Sequence, residues 1–255
     1  YVPDTRLQKL EEAAKEMLER DTDASVRELA SVAGKVVSMV PAIPAARMMT
    51  KECYKLVRPE DGDWDTEVKI TQEVRDELMD IVKMIRVWNK RGAPLRRKLG
   101  ATELRIISDA GPDGYGYRLD GKARQIQMGD SGIAEARLWD SKDESEAAQV
   151  HRELYGIEKC IMAEQERLRG HSVLVLSDAM AAVAYINKGS GASDEMTKVM
   201  KRIFKVCVQN EISLRSEHLK GVSMKEAGVD ALSRWGEFTV RGDVFISMQE
   251  SPRWG

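Results

Sequence analysis

The stretch LRIISDAGPDGYGYRL, residues 104–119, decides how the rest of the chain is read. Leu104, Arg105, Ile106 and Ile107 suit a buried strand, yet they run into Ser108 and Asp109, a Gly-rich turn and a second alternating stretch. An Asp at such a place is either a turn former, hydrogen-bonding its own backbone where the strand stops, or a metal ligand. The second reading requires company: other carboxylates, distant in sequence, each at a strand end or on a core-facing helix.

Three such acids follow. VLVLSD, residues 173–178, repeats the device of an apolar strand ending in Ser177 and Asp178. In HRELYGIEK, residues 151–159, Glu153 adjoins the stripe Leu154, Ile157 and Ile161, at the margin of a buried face where an unpaired carboxylate is costly. AGVDALSR, residues 227–234, sets Asp230 among Val229, Ala231 and Leu232. Each acid alone has an ordinary explanation as a strand-end cap, a solvated helix face or a helix-end polar residue. Gathered near one another they would repel, and desolvation would compound the cost. Divalent cations remove that difficulty, because Mg²⁺ prefers hard oxygen ligands and a two-metal site stabilises both the attacking and the leaving oxygen of a phosphoryl displacement.

The surrounding pattern is α/β. Residues 1–100 read as helices: TRLQKLEEAAKEMLER carries one apolar stripe, Ser25 and Glu28 form a capping box for a helix running to about Met39, a third follows Pro44 through Leu56, and Thr71 caps a long one ended by Gly92. From residue 101 the period changes. LRIIS, GYGYRL, RQIQMG and IAEARLW read as an antiparallel meander; a long helix from about Glu144 to Arg169, the strand VLVLS, two helices, the strand ISLRSE and a short helix follow. The expectation is a mixed five-stranded sheet flanked by helices over 101–236, with a C-terminal tail at 237–255.

Composition narrows the partners. The 255 residues are 42% hydrophobic and carry a net charge of only −2, so any nucleic-acid surface must be local. Cys53, Cys160 and Cys207 are isolated and odd in number, which fits core residues in a reducing, intracellular compartment. No run approaches the roughly 18 apolar residues of a membrane span. A start at Tyr1 and a stop at RWG suggest a piece of a longer protein.

The order Asp on the first strand, Glu on the first helix, Asp after the fourth strand and Asp on the last helix resembles the ribonuclease H fold. SDAGPDGYGY, HRELYGIE, LSDAMAAVAYINKGS and VDALSR are similar to the ribonuclease H domain of retroelement reverse transcriptases, most of all the DIRS-type tyrosine-recombinase retroelements and their relatives. RELASVAGKVVSMVPAIPAARMMTKECYKLV, WDTEVKITQEVRDEL and VWNKRGAPL resemble the thumb and connection that follow the polymerase palm, and TVRGDVFISMQESPRWG resembles the segment after the LSR motif. No YxDD-type polymerase motif is present. The chain departs from the family at Ala110 and Ala179, and its histidine, His218, stands 12 residues before Asp230 in a loop reading KGVSMK, a longer spacing than the family pattern.

The resemblance implies a metal-dependent endonuclease that hydrolyses the RNA strand of RNA–DNA hybrids, using two Mg²⁺ ions, with Mn²⁺ as a substitute. Asp109, Glu153, Asp178 and Asp230 would hold the metals, and His218 would move a proton or help product leave. Lys198, Lys201, Arg202 and Lys205 form one helical row that either contacts phosphates or is simply solvated. Asn187, Lys188, the GSG turn after them and the KRGAPLRRK segment are further substrate candidates, and the palm and fingers of the parent polymerase are the expected protein partner. The alternative is a weak or inactive retroelement-derived structural or nucleic-acid-binding module. The altered neighbours Ala110 and Ala179 and the reshaped histidine loop favour it, and the presence of all four acids opposes it.

Overall fold

The computed structural model describes residues 1–20, 23–58, 61–91, 102–121, 133–189, 191–233 and the backbone of 245–248. The chain forms two compact units, Tyr1–Lys98 and Leu99–Gly255. No helix among the described residues is long and apolar enough to cross a membrane.

The first unit contains α1 (Asp4–Glu19), α2 (Val26–Val37), a 3₁₀ stretch (Pro44–Thr50), α3 (Lys51–Leu56) and α4 (Gln72–Arg91). Leu7, Leu10, Ala14 and Met17 of α1 are buried, as their spacing predicts. The Ser25–Glu28 capping box is formed in both directions, and Thr71 accepts the Val74 amide at the start of α4. Two short strands, β1 (Asp23–Ser25) and β2 (Glu67–Lys69), pair antiparallel, a feature too brief to leave a periodic signal.

In the second unit, β3 (Leu104–Ala110), β4 (Gly114–Gly121) and β5 (Ile133–Leu138) form the antiparallel meander, and β6 (Ser172–Ser177) and β7 (Ser213–His218) extend it in parallel. The five strands lie in the order β7-β6-β3-β4-β5 with helices on both faces, which is the ribonuclease H-like arrangement. A sixth strand, β8 (Phe245–Met248), comes from the C-terminal tail and pairs parallel with β5. The RQIQMG run lies outside the described residues.

The helix expected from Glu144 to Arg169 is divided into α5 (Lys142–Glu146), α6 (Gln149–Ala163) and α7 (Gln165–Leu168). Ala147 is extended, which ends α5, and Glu164, at φ −98° and ψ 6°, ends α6 while its buried carboxylate accepts the Tyr117 hydroxyl at 2.8 Å. After β6 come α8 (Met180–Lys188), α9 (Asp194–Gln209), α10 (Gly221–Glu226) and α11 (Val229–Ser233).

Alternation along β3 assigns its two faces. Ser108 and Ala110 meet α6, which approaches closely because Gly156 has no side chain: a Cβ there would stand 3.1 Å from Tyr115 Cβ. Ile107 points the other way, into a cluster with Met224 of α10 and Val229 of α11. Leu232 of α11 packs on Ala134 and Ala136 of β5. The core therefore clamps the carboxyl end of β3 between α6 on one face and α10–α11 on the other. All three cysteines are free and buried.

Candidate metal centre

The fold brings three of the four sequence-selected acids to one place. Asp109 lies near the end of β3, Asp178 directly follows β6, and these are adjacent parallel strands, so their carboxylates emerge side by side. Glu153 descends from α6. One carboxylate oxygen from each of the three lies within 4.8 Å of the others, with Asp109 and Glu153 buried and Asp178 exposed to solvent. Glu153 is only 2% exposed, which goes beyond the marginal position its spacing suggested.

The two oxygens of Glu153 are treated differently. Gln149, one turn earlier on α6, donates from Nε2 both to Glu153 Oε1 at 2.8 Å and to the Ala110 carbonyl at 2.7 Å. The Gln149 carbonyl in turn accepts from Arg152 at 2.6 Å. Oε2 of Glu153 is buried with no hydrogen-bond partner among the described residues. Burial first, and then the charges of Asp109 and Asp178, push the Glu153 carboxyl up to about 8, although its hydrogen bonds with Gln149 and the Ala110 backbone oppose the shift.

Such an arrangement is costly for an apoprotein and fits a bound cation. A buried carboxylate with one unpartnered oxygen, grouped with two further carboxylates, is a set of hard oxygen donors that Mg²⁺ or Mn²⁺ would satisfy. The donor set contains no sulfur and no imidazole, so it does not suit a soft metal.

Asp230 is half-buried at the start of α11 and lies outside the three-carboxylate group. Its helix is nevertheless tied to that group. Ser233, one turn later, donates its hydroxyl to Asp109 Oδ2 at 2.5 Å, and the same oxygen lies 3.0 Å from the Asp230 carbonyl. Neither Gln149 nor Ser233 was singled out by sequence reasoning. Gln149 was marked only by its position one turn before Glu153, while Ser233 is the serine of the LSR motif, which carried the resemblance without a role for the hydroxyl.

His218 is exposed at the carboxyl end of β7, in parallel register with Ser177, the residue before Asp178. The next residue, Leu219, continues that pairing by donating to the Ser177 carbonyl at 3.0 Å, and Gly221 then passes beside the Asp178 carboxylate. The histidine loop therefore borders the centre despite its altered length.

The remaining candidates are dispersed. The Asn187 amide is engaged twice with the backbone of Ser216, donating to its carbonyl at 2.7 Å and accepting its N–H at 3.0 Å, which caps part of the exposed edge of β7. Arg202 makes a two-pronged ion pair with buried Glu158 of α6, at 2.5 and 2.8 Å. Lys188 and Lys198 are exposed, while Lys201 and Lys205 are half-buried and already engaged in other interactions. Ser190 of the GSG turn and nearly all of the KRGAPLRRK segment lie outside the described residues.

No protein-family model matches this sequence, and no curated protein matches it. Among solved structures, the ribonuclease H1 of Halobacterium salinarum is similar at 12% identity over 51% of this chain and 93% of that one, with a TM-score of 0.37. An N-terminal ribonuclease H domain from Mycobacterium tuberculosis gives 14% identity, 52% and 92% coverage and a TM-score of 0.37. A foamy viral protease–reverse transcriptase in complex with an RNA/DNA hybrid gives 13% identity over 84% of this chain and 27% of its own, with a TM-score of 0.32.

Proposed function

We propose that this chain is a divalent-metal-dependent nuclease of the ribonuclease H type, cleaving the RNA strand of RNA–DNA hybrids as part of a retroelement reverse transcriptase of the DIRS-type group. The observation that carries the reading is Glu153, a buried carboxylate with one unpartnered oxygen, which lies within 4.8 Å, oxygen to oxygen, of Asp109 and Asp178. A fold alone does not define chemistry; a carboxylate held at such a cost, in a cluster open to solvent through Asp178, supports metal-assisted hydrolysis.

Asp109, Glu153 and Asp178 would hold one Mg²⁺, and Asp109 with Asp230 a second. When bound, the ions supply positive charge for activating water and for the leaving oxygen, giving a 3′-hydroxyl and a 5′-phosphate. The chain's own groups do the rest. Gln149 orients Glu153, and His218, exposed beside the Asp178 strand end, would carry a proton between the site and solvent. The exposed cations Lys188 and Lys198 would meet phosphates, a contact that reads backbone shape and not sequence. Residues 1–100 would serve as thumb and connection, and the palm and fingers would supply much of the grip on the hybrid.

The test is cleavage of a labelled RNA–DNA hybrid in Mg²⁺ and in Mn²⁺, beside duplex DNA and duplex RNA, with Asp109→Asn as control. Hybrid-selective cleavage that disappears in the control is expected. A folded chain that cuts nothing with either metal would replace this reading with the non-catalytic module.

A further inference from the structure

We propose that Ser233 is a positioning residue of the carboxylate centre: its hydroxyl fixes Asp109 and locks α11, the helix that carries Asp230, onto the end of β3. The inference rests on the metal-site reading above and assigns a role to a residue outside the four acids.

Two independent features lead to it. The first is the hydrogen bond itself. Ser233 is 1% exposed, and its oxygen is 2.5 Å from Asp109 Oδ2 and 3.0 Å from the Asp230 carbonyl. A serine hydroxyl has one proton, and both neighbours are acceptors. The Asp109 carboxyl oxygen is the nearer of the two and is the recipient. One oxygen of Asp109 is thereby held in a fixed direction by a buried neutral donor.

The second feature is the seat that brings Ser233 there. α11 lies against β3 and β4 where the hairpin between them has no side chains to obstruct it. A Cβ on Gly116 would overlap the Leu232 side chain and approach the Ser233 amide to 2.9 Å, and one on Gly111 would reach the Ser233 carbonyl at 2.8 Å. Gly116 is moreover the register partner of Asp109 across the β3–β4 pair. The glycines in GPDGYG thus admit the α11 backbone to within hydrogen-bonding reach of the first acid. On the opposite face, Gln149 holds Glu153 in the same manner. Each of the two buried acids therefore has one oxygen fixed by a neutral donor from a packed helix.

Groups that orient a metal ligand typically alter metal affinity about 10–100-fold when removed. The experiment is Mn²⁺ binding to the metal-free full chain by calorimetry, comparing wild type, Ser233→Ala, Asp109→Asn and the isosteric pair Ser233→Thr and Ser233→Val, with thermal unfolding of each and hybrid affinity measured without metal. The proposal expects Ser233→Ala to weaken Mn²⁺ binding about tenfold, with hybrid affinity without metal little changed and the melting temperature lowered by a few degrees as the α11 tether is lost. It further expects Thr to bind Mn²⁺ more tightly than Val, because the added methyl is common to both and only the hydroxyl differs. Wild-type affinity in Ser233→Ala would overturn it, and so would equal losses in the Thr and Val variants, which would make Ser233 a space filler. Failure of the underlying reading has a different signature: Mn²⁺ binding absent from wild type, or unchanged in Asp109→Asn, would remove the metal centre and this role together.

Discussion

Glu77 in the helical unit and Glu153 in the α/β unit are each 2% exposed, yet they have opposite surroundings. Glu77 turns Oε2 toward the start of α3, where it accepts the backbone N–H groups of Glu52 and Cys53, both at 2.9 Å. It caps a helix whose first amides would otherwise lack partners. Glu153 caps nothing with Oε2 and shares its space with two further carboxylates. Two other buried glutamates resemble Glu77 in being compensated: Glu158 is paired with Arg202, and Glu164 with Arg167 and the Tyr117 hydroxyl. Burial of an acid is therefore common in this protein and does not mark a site. What distinguishes Glu153 is that, among the described residues, no cation pairs with it and one of its oxygens has no hydrogen-bond partner.

The largest separation between the two residues should appear in catalysis. Glu153→Gln is expected to lower hybrid cleavage by several orders of magnitude by removing a metal ligand, whereas Glu77→Gln should leave single-turnover rates within a few-fold of wild type. Equal loss in both variants would break the comparison.

The next contrast concerns pH. The Glu153 carboxyl lies at about 8 in the folded chain against an ordinary 4.5, so its burial as a neutral acid is unpenalised below pH 4.5. As pH rises toward 8 the unfolded state sheds its proton first and gains ground, and the metal-free protein loses up to roughly 4 kcal/mol from this group. Denaturation in EDTA should accordingly show Glu153→Gln more stable than wild type at pH 8 and close to it at pH 4.5. An identical difference at both pH values would contradict the assignment.

Smaller effects sharpen the picture. Glu77→Ala should cost about 3 kcal/mol at neutral pH by stripping two charge-assisted hydrogen bonds from the α3 terminus, readable as a lower denaturant midpoint. Arg202→Gln should cost about 1–2 kcal/mol, because its half-exposed guanidinium neutralises buried Glu158. Lys198→Ala should leave stability unchanged and weaken hybrid binding only a few-fold, lowering the slope of log affinity against log salt by about one. A reversal of those last two phenotypes would restore Arg202 as a substrate contact.

These contrasts also show what could be read before the fold was known. Asp109 and Asp178 were legible because each ends an apolar run in the same Ser-Asp pair, and period-two and period-3.6 patterns placed the strands and Glu153's helix. Their convergence was an inference from element order, and it rests physically on the parallel pairing of β3 with β6. The cation row on α9 looked uniform because helical spacing says which residues share a face and nothing about the neighbour across from it. Glu158, 44 positions away, is what separates Arg202 from Lys198. Asn187 was read as a substrate group for the same reason, while its partner Ser216 belongs to a strand not yet paired in sequence. The roles of Gln149 and Ser233 depend on a second residue brought close by packing, and short elements such as β1, β2 and β8 have too few residues to show a period.

The most direct measurement of the central claim is the proton released when Mn²⁺ is added to the metal-free protein at pH 7, obtained by calorimetry in two buffers of different ionisation enthalpy. Burial and the neighbouring charges push the Glu153 carboxyl up to about 8, whereas a metal ligand is a carboxylate, so about one proton should leave per protein in wild type and in Glu77→Gln, and none in Glu153→Gln. Mn²⁺ binding as tight in Glu153→Gln as in wild type, with undiminished proton release, would contradict the assignment of this carboxylate to the metal.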